Sequence, residues 1–278
     1  MADQRGLSEN GMTVRRYDRD RFVTALFAPP DRREDLFTLY AFNIEIARIR
    51  ETVSEPMLGQ IRLQWWRDTM DRVCAGSPAH HPLADELSEL ILRRSLPRPL
   101  FDRLIEAREL DMLDQPTESL AHLRQYVDDS AAGLSALAAL VLGGEDAATR
   151  EAARHVGQAW GLVGLLRAHA YAIKARRLHL PVKERGLDIE DVLAGEAPPA
   201  LIELTEEIAA TAAGHIASAR KLRREVNRAA LSALLPAKLA DSYLAKLRKA
   251  GFNPVDREWS AVNTRPLSLA FAASIGRF

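Results

Sequence analysis

Apolar residues recur every three to four positions along nearly the whole chain, the spacing that gathers them on one face of an α-helix. The strict alternation of a half-buried strand is missing, as are the Asn-Gly and Asp-Gly turns that close hairpins. The fold class expected is therefore all-α. Pro29-Pro30 ends a first short helix over about 18–27, because proline cannot continue a helix interior. Asp31 then caps a long helix through LFTLYAFNIEIARIRETV, whose Leu36, Leu39, Tyr40, Phe42, Ile46 and Ile49 predict a broad buried surface. Ser54-Glu55-Pro56 is a stop and restart, and the next helix, MLGQIRLQWWRDTMDRV, runs to Gly76-Ser77-Pro78. Further helices are predicted over 81–94, 97–113, 117–142, 146–174, 199–230, 236–250 and 265–275, with a short helical turn at 188–194. The APP at 197–199 is too short for a linker and no repeat is visible, so residues 1–278 read as a single helical domain with 1–17 as a flexible tail.

Composition narrows the function classes. With 47% hydrophobic residues the chain of 278 can bury a large core, and its 38 basic residues balance 38 acidic ones, which gives no general reason to expect nucleic acid as a partner. The single cysteine, Cys74, cannot form an internal disulfide and reads as a buried spectator in a reducing compartment. The amino terminus lacks the apolar stretch of a signal peptide and mixes acids among its arginines, unlike a transit peptide, so a cytoplasmic location is expected. No run approaches the roughly 20 apolar residues that span a bilayer. The most lipid-like piece is PLSLAFAASIGRF at the carboxyl end, for which docking on the core is favoured over peripheral membrane contact.

Two segments carry a resemblance. Tyr40-Ala41-Phe42-Asn43-Ile44-Glu45-Ile46-Ala47-Arg48-Ile49-Arg50-Glu51 stands where the squalene and phytoene synthase family has Tyr-Ala-Phe-Cys-Arg-x-x-Asp-Asp-x-x-Asp. Gly157, Ala159, Leu162, Arg167, Arg177, Leu180 and Pro181 keep the frame of the family's second motif. HHPLADEL, the ELDML around Asp111 and the QYVDDSAAGL around Tyr126 also resemble family segments, so the match runs over roughly residues 20–185. The resemblance implies an isoprenoid synthase-like helical bundle and, for its active members, head-to-head joining of prenyl diphosphates on magnesium.

The departures fall on the chemistry. Family carboxylates spaced four apart hold magnesium ions, which neutralise charge as diphosphate leaves. Here those positions are Ala47, Arg48 and Glu51 in the first motif and Ala168, Tyr171 and Ala172 in the second, leaving one acid beside Arg48 and Arg50. Polar positions of the family's second motif correspond to Gly161, Val163 and Gly164. Gly157, Gly161 and Gly164 are expected to permit close helix contact. The stretches AFNIEIARIRETVSEPMLGQIRLQWWRDTMDRV and LLRAHAYAIKARRLHLP closely resemble a branch of the superfamily that includes a mitochondrial assembly factor for respiratory complex I and is regarded as lacking synthase activity.

The expectation is a non-catalytic, synthase-like protein that acts by binding in complex I assembly. Its expected partners are complex I subunits or assembly intermediates, with a lipid or isoprenoid ligand in a remodelled cavity and no cofactor. The alternative is a prenyl transferase with an altered site, for which magnesium would be required. Tyr40, Arg48, Glu51, Asp111, Tyr126, Arg167 and Arg177 are the ligand-binding candidates. Arg48, Arg50, Arg167, Arg176 and Arg177 would surround the former metal site, where pairing with Glu45, Glu51 and helix ends is favoured over binding an external phosphate. His169 and His179 are expected to be neutral and hydrogen-bonded. The neighbours Asp128-Asp129 are expected to cap or face solvent, since adjacent helical residues point in different directions. Of Trp65 and Trp66, one should be core and the other is a candidate for a partner surface.

Overall fold

The computed structural model describes residues 6–113, 115–262 and 266–278, and among these every regular element is a helix. The first is α1 (Glu9–Tyr17), inside the stretch expected to be a flexible tail. That expectation is corrected from Glu9 onward. Ser8 caps the helix by accepting from the Gly11 amide at 3.0 Å, Val14 is fully buried, and Gly11 lies against the Phe37 ring. The apolar face consists of so few residues among arginines that periodicity alone hides it.

α2 (Arg19–Ala25) leads through Pro29 into α3 (Pro30–Ala47), whose Leu36, Phe37, Leu39, Phe42 and Ile46 are buried almost completely. The long helix expected over this region breaks at Arg48 (φ −92°, ψ 0°) and resumes as the single turn α4 (Ile49–Thr52). α5 (Pro56–Cys74), α6 (Pro82–Arg94) and α7 (Arg98–Ala107) complete this half around one hydrophobic cluster. Trp66 is its core tryptophan, edge-on to Phe42 with ring centroids 5.0 Å apart, while Trp65 is exposed beside Met57 and Ile61 on α5.

The helix expected over 117–142 is α8 (Leu120–Val127) and α9 (Gly133–Val141), joined by a wider π-type turn at Asp128–Ala132. α10 (Ala147–Ala172), started by the Asp146 side chain accepting from the Thr149 amide at 2.8 Å, is the axis of a second cluster. Around it pack α12 (Pro199–Lys221), α14 (Pro236–Lys249) and α15 (Pro266–Ser274), with the short α11 (Ile189–Leu193) and α13 (Leu231–Leu234) as connectors. α12 stops well short of the expected residue 230. Arg223, Arg224 and Glu225 offer no apolar face, and Asn227 is drawn away to the Thr149 hydroxyl (2.7 Å) and the Gly143 carbonyl (3.0 Å). Among the described residues no helix is long and apolar enough to cross a membrane.

Candidate functional site

The two motif frames lie on α3–α4 and α10. In the first, Arg48 ends α3 with its guanidinium 3.8 Å from the centroid of the Tyr17 ring and its Nε donating to Glu51 at 3.4 Å. Glu51 is exposed and has this arginine beside it. Arg50 is engaged in a contact of its own. Tyr40 is buried in the core, and loss of hydration pushes its hydroxyl up to about 12 despite the nearby Arg21. A magnesium cluster would need several converging oxygen ligands. The frames place Ala47, Ala168 and Ala172 at former acid positions, Tyr171 is exposed under Arg257, and no group of three or more His, Cys, Asp or Glu among the described residues is arranged for a metal. The side chains present do not fit such a cluster.

On α10, Gly157 and Gly161 are the close-contact positions. A Cβ on Gly157 would fall 2.5 Å from the Ala132 Cα, and one on Gly161 would fall 2.7 Å from Val127. Both therefore press α10 onto the π-type turn and the end of α8. Gly164 differs from the expectation, since a Cβ there would meet nothing within 4 Å. One turn further, Arg167 donates to Asp20 of α2 at 3.0 Å and lies 3.8 Å from the Tyr243 ring, while the Tyr243 hydroxyl donates to the same Asp20 oxygen at 2.9 Å. Asp20 is only 4% exposed. Burial raises its pKa, against the opposing pull of Arg167 and Tyr243. The arginine kept from the family frame is thus paired with an internal carboxylate.

His169, also on α10, is 1% exposed, and neither ring nitrogen has a hydrogen-bond partner among the described residues. Its expected hydrogen bond is not there. Burial first, and the neighbouring His179 second, lower its pKa to about 4, which keeps the ring neutral at neutral pH. His179 is shifted downward too, chiefly by burial.

A second polar cluster forms at the end of α7. Arg108 donates to Asp111 at 3.3 Å, to the Tyr126 hydroxyl at 2.7 Å and to Asn43 at 3.4 Å, and Tyr126 donates to Asp111 at 2.9 Å. Arg177 donates to the Asp111 carbonyl at 2.9 Å. Burial first, and then the Asp111 charge, hold the Tyr126 hydroxyl well above its ordinary pKa, so it remains a donor. Asp111, Tyr126, Arg177 and His179 line a cavity of about 380 Å³ whose other walls include Leu110, Leu123 and Leu165. Such a space, mostly apolar with a few convergent polar groups, suits the body of a small apolar molecule.

Of the seven ligand candidates, the structure brings together Asp111, Tyr126 and Arg177. Arg48 and Glu51 pair with each other, Arg167 is sealed by Asp20, and Tyr40 is core. Arg176 is exposed and pairs with Glu190. The arginines therefore do not converge on one centre. Asp128 is held by Arg154 and Gln158, and Asp129 by Arg103 and Gln125, so this acid pair divides between separate partners. Sequence reasoning missed Arg108, Asn43, Asp20 and Tyr243. Arg108 stands three residues before Asp111 and was open to detection, whereas no local signal ties Asp20 to Arg167.

Comparison with known proteins places these features in context. The family model for squalene/phytoene synthase matches residues 14–267. The NADH dehydrogenase (ubiquinone) complex I assembly factor 6 of Bos taurus is 30% identical over 260 residues, covering 92% of this chain and 78% of that protein. The squalene synthase HpnC from Alicyclobacillus acidocaldarius superposes with a TM-score of 0.77 at 20% identity, over 88% of this chain and 94% of its own. A dehydrosqualene synthase crystallised with ligand superposes with a TM-score of 0.79 at 15% identity, over 96% and 94%. At these identities the solved structures establish a shared fold. With the family model extending from α1 into α15, and both motif frames occupying the helices described above, the chain belongs to the squalene/phytoene synthase family.

Proposed function

We propose that this protein is a non-catalytic member of its family that acts by binding, in the assembly or maintenance of respiratory complex I. The observation that carries the non-catalytic reading is the Asp20–Arg167–Tyr243 cluster: the retained arginine already has a buried carboxylate partner, and alanines occupy former acid positions around it. With Arg167 paired to Asp20 and alanines at former acid positions, the groups that would stabilise charge developing on a departing diphosphate are reduced. The assembly role is supported by the 30% identity, over most of the chain, to the bovine protein named for that task. Complex I subunits or assembly intermediates are the partners in this reading, and the chain works from the cytoplasmic side. The cavity beside Asp111 and Tyr126 would hold a lipid or isoprenoid, and no cofactor enters. Deleting the gene and resolving membranes on a native gel should show less assembled complex I, restored by the wild-type gene. Normal complex I in the deletion strain would contradict the proposal.

The fold and the apolar cavity favour one second reading, a prenyl transferase whose arginines replace the metal. Purified protein incubated with farnesyl or geranylgeranyl diphosphate and magnesium separates the two. Product formation would overturn the non-catalytic reading.

A further inference from the structure

α15 has two unlike sides. Leu269 and Ala272, with Phe278 beyond the helix end, are buried in the cluster around α10, α12 and α14, so the helix is anchored on the protein. On the opposite side Leu267, Phe271 and Ile275 are 86%, 67% and 42% exposed. They recur every four residues and so form one line along the helix. Phe271 and Ile275 border a hollow of about 310 Å³ whose other walls carry Arg220 and Arg223 from the end of α12, Lys238 of α14, and Arg277. Arg220 is matched by Asp241 and donates to a main-chain carboxylate oxygen of Phe278 at 2.7 Å. Arg223, Lys238 and Arg277 are exposed and form no ion pair among the described residues. The chain as a whole has a formal net charge of zero, so this local excess of cations does not follow from a generally basic composition.

We propose that this face seats the protein on an anionic phospholipid surface, with Leu267, Phe271 and Ile275 entering the acyl boundary and Arg223, Lys238 and Arg277 meeting lipid phosphates. An apolar line bordered by basic residues is the pattern of helices that lie in the plane of a membrane interface. Charge argues against a second copy of the chain as the occupant, because an isologous contact would bring the same unmatched cations face to face. The large exposure of Leu267 and Phe271 also suits a deformable surface better than a preformed protein groove. The contact is peripheral and is independent of the assembly role.

The test is flotation of the full chain with vesicles of phosphatidylcholine alone or of phosphatidylcholine containing phosphatidylglycerol. Wild type should float with the anionic vesicles, less with the neutral ones, and release as salt is raised. The exposed pair L267D/F271D should weaken partitioning by about tenfold or more. The pair R223E/R277E should remove the preference for phosphatidylglycerol. Both variants should keep the wild-type circular dichroism spectrum and melting temperature, because none of these side chains is buried. Inorganic phosphate should not displace the bound protein. Equal flotation with both vesicle types, or wild-type flotation by both variants, would overturn the proposal. So would a dimer in light scattering that F271D abolishes while vesicle binding is absent.

Discussion

The molecule contains the same chemical trio twice, an arginine, an aspartate and a tyrosine, and uses it in opposite ways. Arg167, Asp20 and Tyr243 come from three helices, span 223 residues of sequence and close over one another with Asp20 almost wholly buried. Arg108, Asp111 and Tyr126 lie within 18 residues, and Asp111 and Tyr126 line the cavity of about 380 Å³. The first trio pins the amino-terminal helices to α10 and removes an arginine from ligand chemistry. The second keeps a polar rim on an apolar hollow. Identical side chains therefore report a structural tie in one place and a candidate ligand site in the other, and what distinguishes them is that Asp111 and Tyr126 line the cavity.

The contrast can be broken by mutation. Arg167→Ala strands a buried carboxylate and should cost about 3–5 kcal/mol in urea unfolding, whereas Asp20→Leu combined with Arg167→Met should recover most of that loss. Arg108→Ala should cost less, about 2 kcal/mol, because water in the cavity can solvate Asp111. An Arg108→Ala loss as large as that of Arg167→Ala would erase the distinction between sealed and open clusters.

His169 lies two residues after Arg167 and senses His179 on the cavity rim. Its pKa is lowered in the fold from 6.5 to about 4, so the unfolded chain takes up a proton between these values while the folded chain does not. Stability from this group is complete above pH 6.5 and is lost as pH falls through 6.5 toward 4. The effect is on the order of 3 kcal/mol. His179 and His215 are shifted in the same direction. His169→Leu should flatten the decline of the urea midpoint between pH 7 and pH 5, and an unchanged slope would mean that the ring is hydrated in the native state.

Smaller effects sharpen the comparison. Tyr243→Phe withdraws a donor from buried Asp20 and should cost about 1.5–3 kcal/mol, while Tyr126→Phe, beside the cavity, should cost about 1 kcal/mol. Both values come from denaturant titration of the single variants. Leu165→Trp, on the cavity wall, should cost no more than about 1–3 kcal/mol. It should also remove most of the fluorescence gained by an anilinonaphthalene sulfonate probe on binding wild type. Undiminished probe fluorescence in that variant would place the binding elsewhere.

Much of this architecture is legible in the sequence. Helical periodicity with proline, glycine and aspartate punctuation located nearly every long helix, because these signals act over one or two turns. The two motif frames also fall on the helices α3–α4 and α10 where the sequence put them. The errors fall where the local signal is weak or where a partner distant in sequence decides the outcome. α1 hides its one fully buried valine among arginines, α12 ends where Asn227 finds Thr149, and the π-type turn at Asp128–Ala132 follows from two glycines on α10 that bring a second backbone close.

Covalent order therefore established helix content and the family frame, each a property of residue type at fixed spacing. Which arginines are sealed and which border a cavity followed from packing alone. Asp20 and Arg167 stand 147 residues apart, and nothing in either neighbourhood encodes the other until α2 and α10 meet. Pairing of charges across the core is a consequence of helix placement, and helix placement depends on every buried side chain at once.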